Sequence, residues 1–301
     1  MNNIHSWIKA ARLRTLPLSL SCIFMGCFLA AYNQTFNRTV AILAVLTTLF
    51  LQILSNFAND YGDSEKGTDN EHRIGPKRTV QAGEITPKAM RAGIMTMAAL
   101  ASISGLFLVL TGIHGMNQIK VTLFLILGLA AIIAALKYTV GDKPYGYMGL
   151  GDFFVFLFFG LTGVSGTYFL HAQTVNADIW LMASSIGLFS IGVLNLNNMR
   201  DIENDRNSGK HTIPVRLGNR KAKLYHTALI LSGMICGLIY LILNYQSPVQ
   251  LLFILSFPFF IIQLVQICKT EEPRMLDPYL KKLSLSTLLY TLLFGIGFLL
   301  S

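Results

Sequence analysis

Long stretches of this chain contain no Asp, Glu, Lys or Arg. They cover 15–37, 39–59, 92–119, 121–136, 153–177, 179–199, 224–268 and 283–301. A helix that crosses a bilayer needs roughly 17–25 mostly apolar residues, and seven of these runs each supply one. The run 224–268 is long enough for two, with Asn244-Tyr-Gln-Ser-Pro248 as the turn between them. The run 121–136 is short, but Lys120 and Lys137 can snorkel to the interfaces from its two ends. None of the runs alternates polar with apolar residues, as the strands of a transmembrane barrel do over segments of about ten residues. The pattern predicts an all-α membrane protein: nine transmembrane helices forming one integral-membrane domain over 1–301.

Composition agrees with lipid as the solvent. The chain is 53% hydrophobic and 13% charged, against about 25% charged in soluble domains. Nine spans place the termini on opposite sides. Of the 24 Lys and Arg, 22 fall in the N-terminal arm and the even-numbered loops, and only Arg38 and Lys120 fall on the other side. The positive-inside rule makes the rich side cytoplasmic. The expectation is a multi-pass protein of the cell (inner) membrane, with a cytoplasmic N-terminus and the C-terminus opposite.

Acidic residues sort the same way. Only Asp178, of 15 Asp and Glu, falls on the sparse side. Acids contribute little to orientation, so their clustering needs another cause. The net charge of +9 is read as contact with anionic membrane lipid, because the basic residues adjoin spans. Nucleic acid is not expected as a partner. Cys22, Cys27, Cys236 and Cys268 sit in apolar runs without metal-ligand spacing and are read as packing residues. The apolar run near the N-terminus is long and lacks a clear cleavage pattern, so it reads as an uncleaved first span.

Two polar stretches carry the acids, at about 60–91 and 200–223, each directly after a span. One begins Asn56-Phe-Ala-Asn59-Asp60-Tyr-Gly-Asp63, with Asp69 beyond it. The other begins Asn198-Met-Arg-Asp201-Ile-Glu-Asn-Asp205. Residues three and four apart share a helix face, so Asn56, Asn59, Asp60 and Asp63 form one stripe. Asn197, Asp201 and Asp205 form another. Packing carboxylates together at a membrane boundary is costly through repulsion and desolvation, which argues for a bound cation. Carboxylate and amide oxygens suit Mg²⁺, which takes one or two carboxylates and fills its shell with phosphate oxygens and water. Arg73, Lys77, Arg78 and Lys210 follow the motifs, and such cations suit a diphosphate. A solvated acidic helix end bridged by nearby Lys and Arg is the plainer reading, but two matching ends favour a site.

Asn59-Asp-Tyr-Gly-Asp63 followed by Asp69, and Asp201-Ile-Glu-Asn-Asp205, resemble the two aspartate-rich motifs of the UbiA superfamily of intramembrane prenyltransferases. Further stretches resemble its 1,4-dihydroxy-2-naphthoate branch, which serves menaquinone synthesis. They are Gly67-Thr-Asp69, Arg73-Ile-Gly-Pro-Lys-Arg78, Tyr138-Thr-Val-Gly-Asp-Lys-Pro-Tyr-Gly-Tyr147, Gly149-Leu-Gly-Asp152 and Gly209-Lys-His-Thr-Ile-Pro-Val-Arg-Leu-Gly218. In many superfamily members the third acid lies four residues after the second. Here Gly67 holds that place and the acid comes at Asp69.

The resemblance implies a UbiA-like bundle whose cytoplasmic polar loops cap a central cavity. It implies an enzyme that joins a polyprenyl diphosphate to 1,4-dihydroxy-2-naphthoate, releasing CO₂ and diphosphate and giving demethylmenaquinone. The expected Mg²⁺ ligands are Asn59, Asp60, Asp63, Asp69, Asn198, Asp201 and Asp205, with Asn59, Asp60, Asp63, Asp201 and Asp205 as the catalytic set. Arg73, Lys77, Arg78 and Lys210 are expected on the diphosphate.

For the aromatic acceptor the candidates are Arg14, Tyr138, Lys143 and Tyr147, with interface anchoring as the competing reading. The Phe-rich stretch 153–159 could line a prenyl channel, but is read here as lipid-facing packing. Two other functions stay open: prenyl transfer to another ring such as 4-hydroxybenzoate, and cation-coupled transport. Transporter sites usually lie near the midplane on broken helices, whereas these acids sit at helix ends.

Overall fold

The computed structural model describes residues 4–69, 74–113, 115 and 118–301. Among them nine helices are long and apolar enough to cross a membrane: α1 (Ile4–Tyr32), α2 (Arg38–Glu65), α3 (Pro87–Gly112), α4 (Gln118–Lys137), α5 (Gly151–Ala172), α6 (Ile179–Arg200), α7 (Ile213–Leu243), α8 (Pro248–Lys269) and α9 (Pro273–Leu299). No strand occurs among the described residues. The helix satisfies its own backbone, which is what a lipid-facing chain requires.

Local chemistry sets the helix ends. Asn37 starts α2 by accepting hydrogen bonds from the Thr39 and Val40 amides, at 2.9 and 3.2 Å. Thr86 caps α3, with Pro87 in the first turn. The long run 224–268 divides at the expected turn, where Ser247 and Gln250 form a capping box.

Helices outlast the charge-free runs at the polar-loop end. α2 continues to Glu65, so its acidic motif is helical throughout. The N-terminal arm is also helical. It covers Ile4–Ala11 and joins the rest of α1 through a break at Arg12, whose φ is 50°. Trp7 on this arm packs against Phe57 of α2, with ring centroids 5.2 Å apart.

The two sides of the bundle are built differently. On one side Phe189, Phe253, Phe260, Tyr290 and Phe294 form a buried aromatic core joining α6, α8 and α9. Close approach of small residues tightens the α5–α6 seam: a Cβ on Gly160 would come within 2.7 Å of the Ala183 carbonyl. Residues 156–166 of α5 are wound as a π-helix. On the other side α4 buries only Ala134 and leans on α2 and α3. A cavity of 580 Å³ lies between these sides. Its lining on α2 runs from Asp63 to Ala44, about 28 Å at 1.5 Å per residue.

Candidate active site

Both acidic motifs lie at the same end of the bundle, where the cavity meets the polar loops. On α2, Asn59 and Asp63 line the cavity. Asp60 is buried beside them but is not part of the lining. Its carboxylate accepts from the Thr79 amide (3.1 Å), the Thr79 hydroxyl (2.7 Å) and the Val80 amide (3.1 Å). That carboxylate folds the following loop onto the helix. Gly67, with φ of 68°, turns the chain back, so that the Thr68 and Asp69 amides both reach the Asp63 carbonyl.

At the end of α6, Asp201 leaves helical geometry and a short helix, Ile202–Asn207, comes next. The Asp201 amide still donates to the Asn197 carbonyl and the Asp205 amide to the Asp201 carbonyl, at 3.2 and 2.8 Å. The expected stripe therefore survives the break, and Asn197, Asn198, Asp201 and Asp205 all line the cavity. Asn204 ties the two motifs together by donating to the Thr68 carbonyl at 2.9 Å.

Cations sit between the acids. Lys210 Nζ is 3.1 Å from Asp63 Oδ1 and 3.8 Å from Asp205 Oδ1. Arg78 reaches Asp63 Oδ2 at 3.0 Å and Asp69 Oδ1 at 3.1 Å. Burial works against the Arg78 charge, but Asp63, Asp69, Asp60 and Asp201 outweigh it and hold the guanidinium above its ordinary pKa. Tyr147 donates its hydroxyl to Asp63 Oδ1 at 2.8 Å, and the Lys210 ammonium lies 4.6 Å from its ring centroid. Burial raises the Tyr147 phenol and the Asp63 charge adds to that, so the hydroxyl keeps its proton.

A second network holds Asp201. Arg200, with no exposed side-chain surface, grips it through Nε–Oδ1 at 3.1 Å and Nη2–Oδ2 at 2.6 Å. Arg200 also donates to Asn197 at 3.0 Å and to Asp277 of α9. Asp277 in turn pairs with Arg14 at 3.5 Å.

Several sequence-based assignments change here. Arg14 does not line the cavity; its partner is Asp277. Lys143 and Lys77 are exposed and stand outside the lining. Asp69 is buried against Arg78 and is likewise not a lining residue. Arg73 lies outside the described residues. Tyr138 and Tyr147 do line the cavity, as do Lys210 and Arg78. Phe154, Phe158 and Phe159 face the cavity rather than lipid, whereas Phe153 is exposed. Phe154 and Phe158, four residues apart, stack with ring centroids 6.3 Å apart; spacing puts them on one face but does not say whether that face meets lipid or cavity. Residues missed in the sequence include Arg200, Asp277 and Thr68, and the cavity-lining Thr15, Ser19, Gln52 and Thr212. Arg200 carried a signal, because a basic residue ending a span beside an acidic motif needs a partner.

A polar strip faces the cavity from the junction of α1 and α2. Gln52 donates to Thr15 Oγ1 at 3.3 Å and to Asn56 Oδ1 at 3.4 Å, and accepts from Ser19. Asn56 donates to the Ala11 carbonyl at 2.8 Å. These amides brace the α1 break and present polar edges to the cavity.

Among the described residues no three carboxylates, histidines or cysteines converge closely enough to enclose a metal ion unaided. The lining set of Asn59, Asp63, Asn198, Asp201 and Asp205 is all oxygen. It fits Mg²⁺ arriving with a diphosphate, since that ion fills its shell from one or two carboxylates, phosphate oxygens and water.

The sequence profile of the UbiA prenyltransferase family matches residues 19–299. A 1,4-dihydroxy-2-naphthoate octaprenyltransferase of Haemophilus influenzae is 44% identical over 295 residues, spanning 97% of this chain and 95% of that protein. The protein of the same description in Escherichia coli is 40% identical over 301 residues, spanning 100% and 97%. A UbiA homolog of Archaeoglobus fulgidus, solved bound to DMAPP and Mg²⁺, shares the fold with a TM-score of 0.61 at 15% identity. That match covers 94% of this chain and 99% of that one.

Proposed function

The chain belongs to the UbiA prenyltransferase family, and on that premise we propose that it joins a polyprenyl chain from polyprenyl diphosphate to 1,4-dihydroxy-2-naphthoate. CO₂ and diphosphate leave, and demethylmenaquinone forms at the quinol level. One observation carries the reading. A single cavity, about 28 Å long on α2, unites a polar end lined by carboxylates, amides and cations with a more apolar end toward Ala44. A prenyl diphosphate has the same two parts, a charged head and an apolar tail. The relatives at 44% and 40% identity supply the identity of the ring.

Asp63, Asp201 and Asp205, with Asn59 and Asn198, are the residues that would hold Mg²⁺. Bound there, the ion supplies electrophilic stabilisation to a departing diphosphate. Arg78 and Lys210 turn from the carboxylates toward the diphosphate oxygens and offset its charge. The allylic carbon–oxygen bond breaks and its electron pair leaves with the diphosphate. The ring carbon that bears the carboxylate then bonds to the allylic cation, and that carboxylate departs as CO₂, returning its bonding pair to the ring. The ring lies along the polar strip of Thr15, Ser19, Gln52 and Asn56, in the cavity that Tyr138 also lines. Phe154, Phe158 and Phe159 wall the tail and keep water from the cation. The polar end faces the cytoplasm of the inner membrane, following the basic-residue bias of its loops.

Mass spectrometry of products tests this, with purified protein offered one polyprenyl diphosphate and several rings, 1,4-dihydroxy-2-naphthoate and 4-hydroxybenzoate among them. The expected product is the prenylated naphthoquinol alone. A prenylated benzoate as the main product would replace the acceptor. A chelator should abolish turnover and Mg²⁺ restore it; full turnover in metal-free buffer would end the diphosphate-ionisation mechanism.

A further inference from the structure

Thr212 occupies the N-cap position of α7. Threonine at this position normally accepts a hydrogen bond from a backbone amide of the first turn. Here it does not: the side chain makes no capping bond, and Pro214 removes one of the first-turn donors. Thr212 is only 4% exposed. Its Oγ1 has no hydrogen-bond partner among the described residues, yet the residue lines the cavity together with Lys210, Asp201 and Asp205. A buried polar group left unpaired is destabilising, so an orphan hydroxyl on a residue that lines a ligand cavity calls for a partner.

The approach to Thr212 is held firmly. Thr212 itself is extended, with φ of −62° and ψ of 161°. Lys210 and Thr212 turn inward, while His211 is exposed. The Lys210 amide donates to the Asp205 carbonyl and the His211 amide to the Tyr147 carbonyl, both at 2.8 Å. Arg216 Nη2 donates to the Met148 carbonyl at 2.6 Å. The segment is clamped on both sides, and Thr212 is held at the cavity wall two residues from Lys210, whose ammonium pairs with Asp63.

We propose that Thr212 donates its hydroxyl hydrogen to an oxygen of the prenyl donor's diphosphate, beside Lys210. This rests on the function proposed above and adds a neutral donor to its cations. A hydroxyl can both donate and accept, so Thr212 can bond to one diphosphate oxygen without adding charge to a crowded site.

The test compares Thr212→Val, which keeps the shape and removes the hydroxyl, with Thr212→Ser, which keeps the hydroxyl. Full-length purified protein is titrated with inorganic diphosphate in Mg²⁺ buffer by calorimetry. Thr212→Val should weaken binding about tenfold, the factor expected from one lost hydrogen bond to a charged oxygen, and Thr212→Ser should stay within about twofold. KM for the prenyl donor should rise in Thr212→Val while KM for the ring is unchanged. The unfolding midpoint without ligand should not fall, because the hydroxyl has no partner in the protein to lose. Diphosphate binding by Thr212→Val equal to wild type would overturn the proposal and leave the enzyme's function standing. A KM change for the ring alone would also overturn it. Wild-type protein that bound no diphosphate with Mg²⁺ would overturn both.

Discussion

At the end of α2 one aspartate shapes the loop and the next faces the cavity. Asp60 holds Thr79 and Val80, while Asp63 meets Lys210, Arg78 and Tyr147. At the end of α6 both aspartates line the cavity, and the shaping is done from outside the motif by Arg200 and Asp277. Two motifs with nearly the same spacing thus reach one site by different means. The physical reason lies in how the chain leaves each helix. After α2 it makes a long loop that must be tied back, and a carboxylate can accept from several donors at once. After α6 a short helix continues the stripe, so Asp201 needs its charge balanced rather than a loop to hold. A buried arginine supplies that balance with a planar fork matched to a carboxylate.

The largest effect should come from the residues in which the two ends agree. Asp63→Asn and Asp205→Asn should each lower kcat/KM by about 100-fold or more, measured as prenyl transfer at fixed Mg²⁺. Normal turnover in Asp63→Asn with loss in Asp205→Asn would mean that the ends do not share one site.

Arg200 sharpens the contrast. Arg200→Gln leaves Asp201 buried without its partner, and breaking a buried pair typically costs about 3–5 kcal/mol. Its unfolding midpoint in detergent should drop well below wild type. Arg200→Lys should recover only part of this, because one ammonium cannot reproduce contacts to Asp201, Asn197 and Asp277 together. A wild-type midpoint for Arg200→Gln would show that the second end needs no external clamp.

Asp60→Asn tests the shaping role at the first end. Three donors converge on this carboxylate, and an amide must turn an NH₂ toward one of them. The expected cost is about 1–3 kcal/mol of stability, with kcat reduced only a few-fold through slackening of the loop that carries Arg78. A loss of kcat as large as that of Asp63→Asn, at unchanged stability, would return Asp60 to the metal ligands.

The smallest effects belong to residues that only their sequence position suggested. Arg14→Ala and Lys143→Ala should change KM for the aromatic acceptor by no more than about twofold. Half-exposed pairs such as Arg14–Asp277 are worth about 0–1 kcal/mol. A tenfold rise in that KM for either variant would restore its place in the acceptor site.

The nine spans were legible because charge-free length is a one-dimensional property, and lipid enforces it on every helix separately. The same holds for the turn at 244–248, where Pro248 and a capping box announce a new helix. The stripe Asn197, Asp201, Asp205 was legible because hydrogen bonds four residues apart carry it through the break after α6. Spacing could not separate Asp60 from Asp63, since three residues place both on nearly the same face. Their division depends on Thr79 and Val80, which the loop brings back from far along the chain. Phe154, Phe158 and Phe159 face the cavity because packing of α5 against its neighbours, which spacing along the chain does not encode, decides which of its sides meets lipid.

Sequence alone therefore determined the solvent, the number of spans, the family and the two helix ends where charge concentrates. Each of these depends on composition or on contacts within a turn or two. Tertiary structure alone decided which aspartates face the cavity, which cations stand between them, and that Arg200 reaches across to Asp277 of the last span. It also decided that Thr212, buried in the wall of the cavity that Lys210 also lines, keeps an unpaired hydroxyl. Those properties come from side chains distant in sequence meeting in a small low-dielectric space, where a shift of an ångström decides whether a charge is paired, and no local pattern encodes that distance.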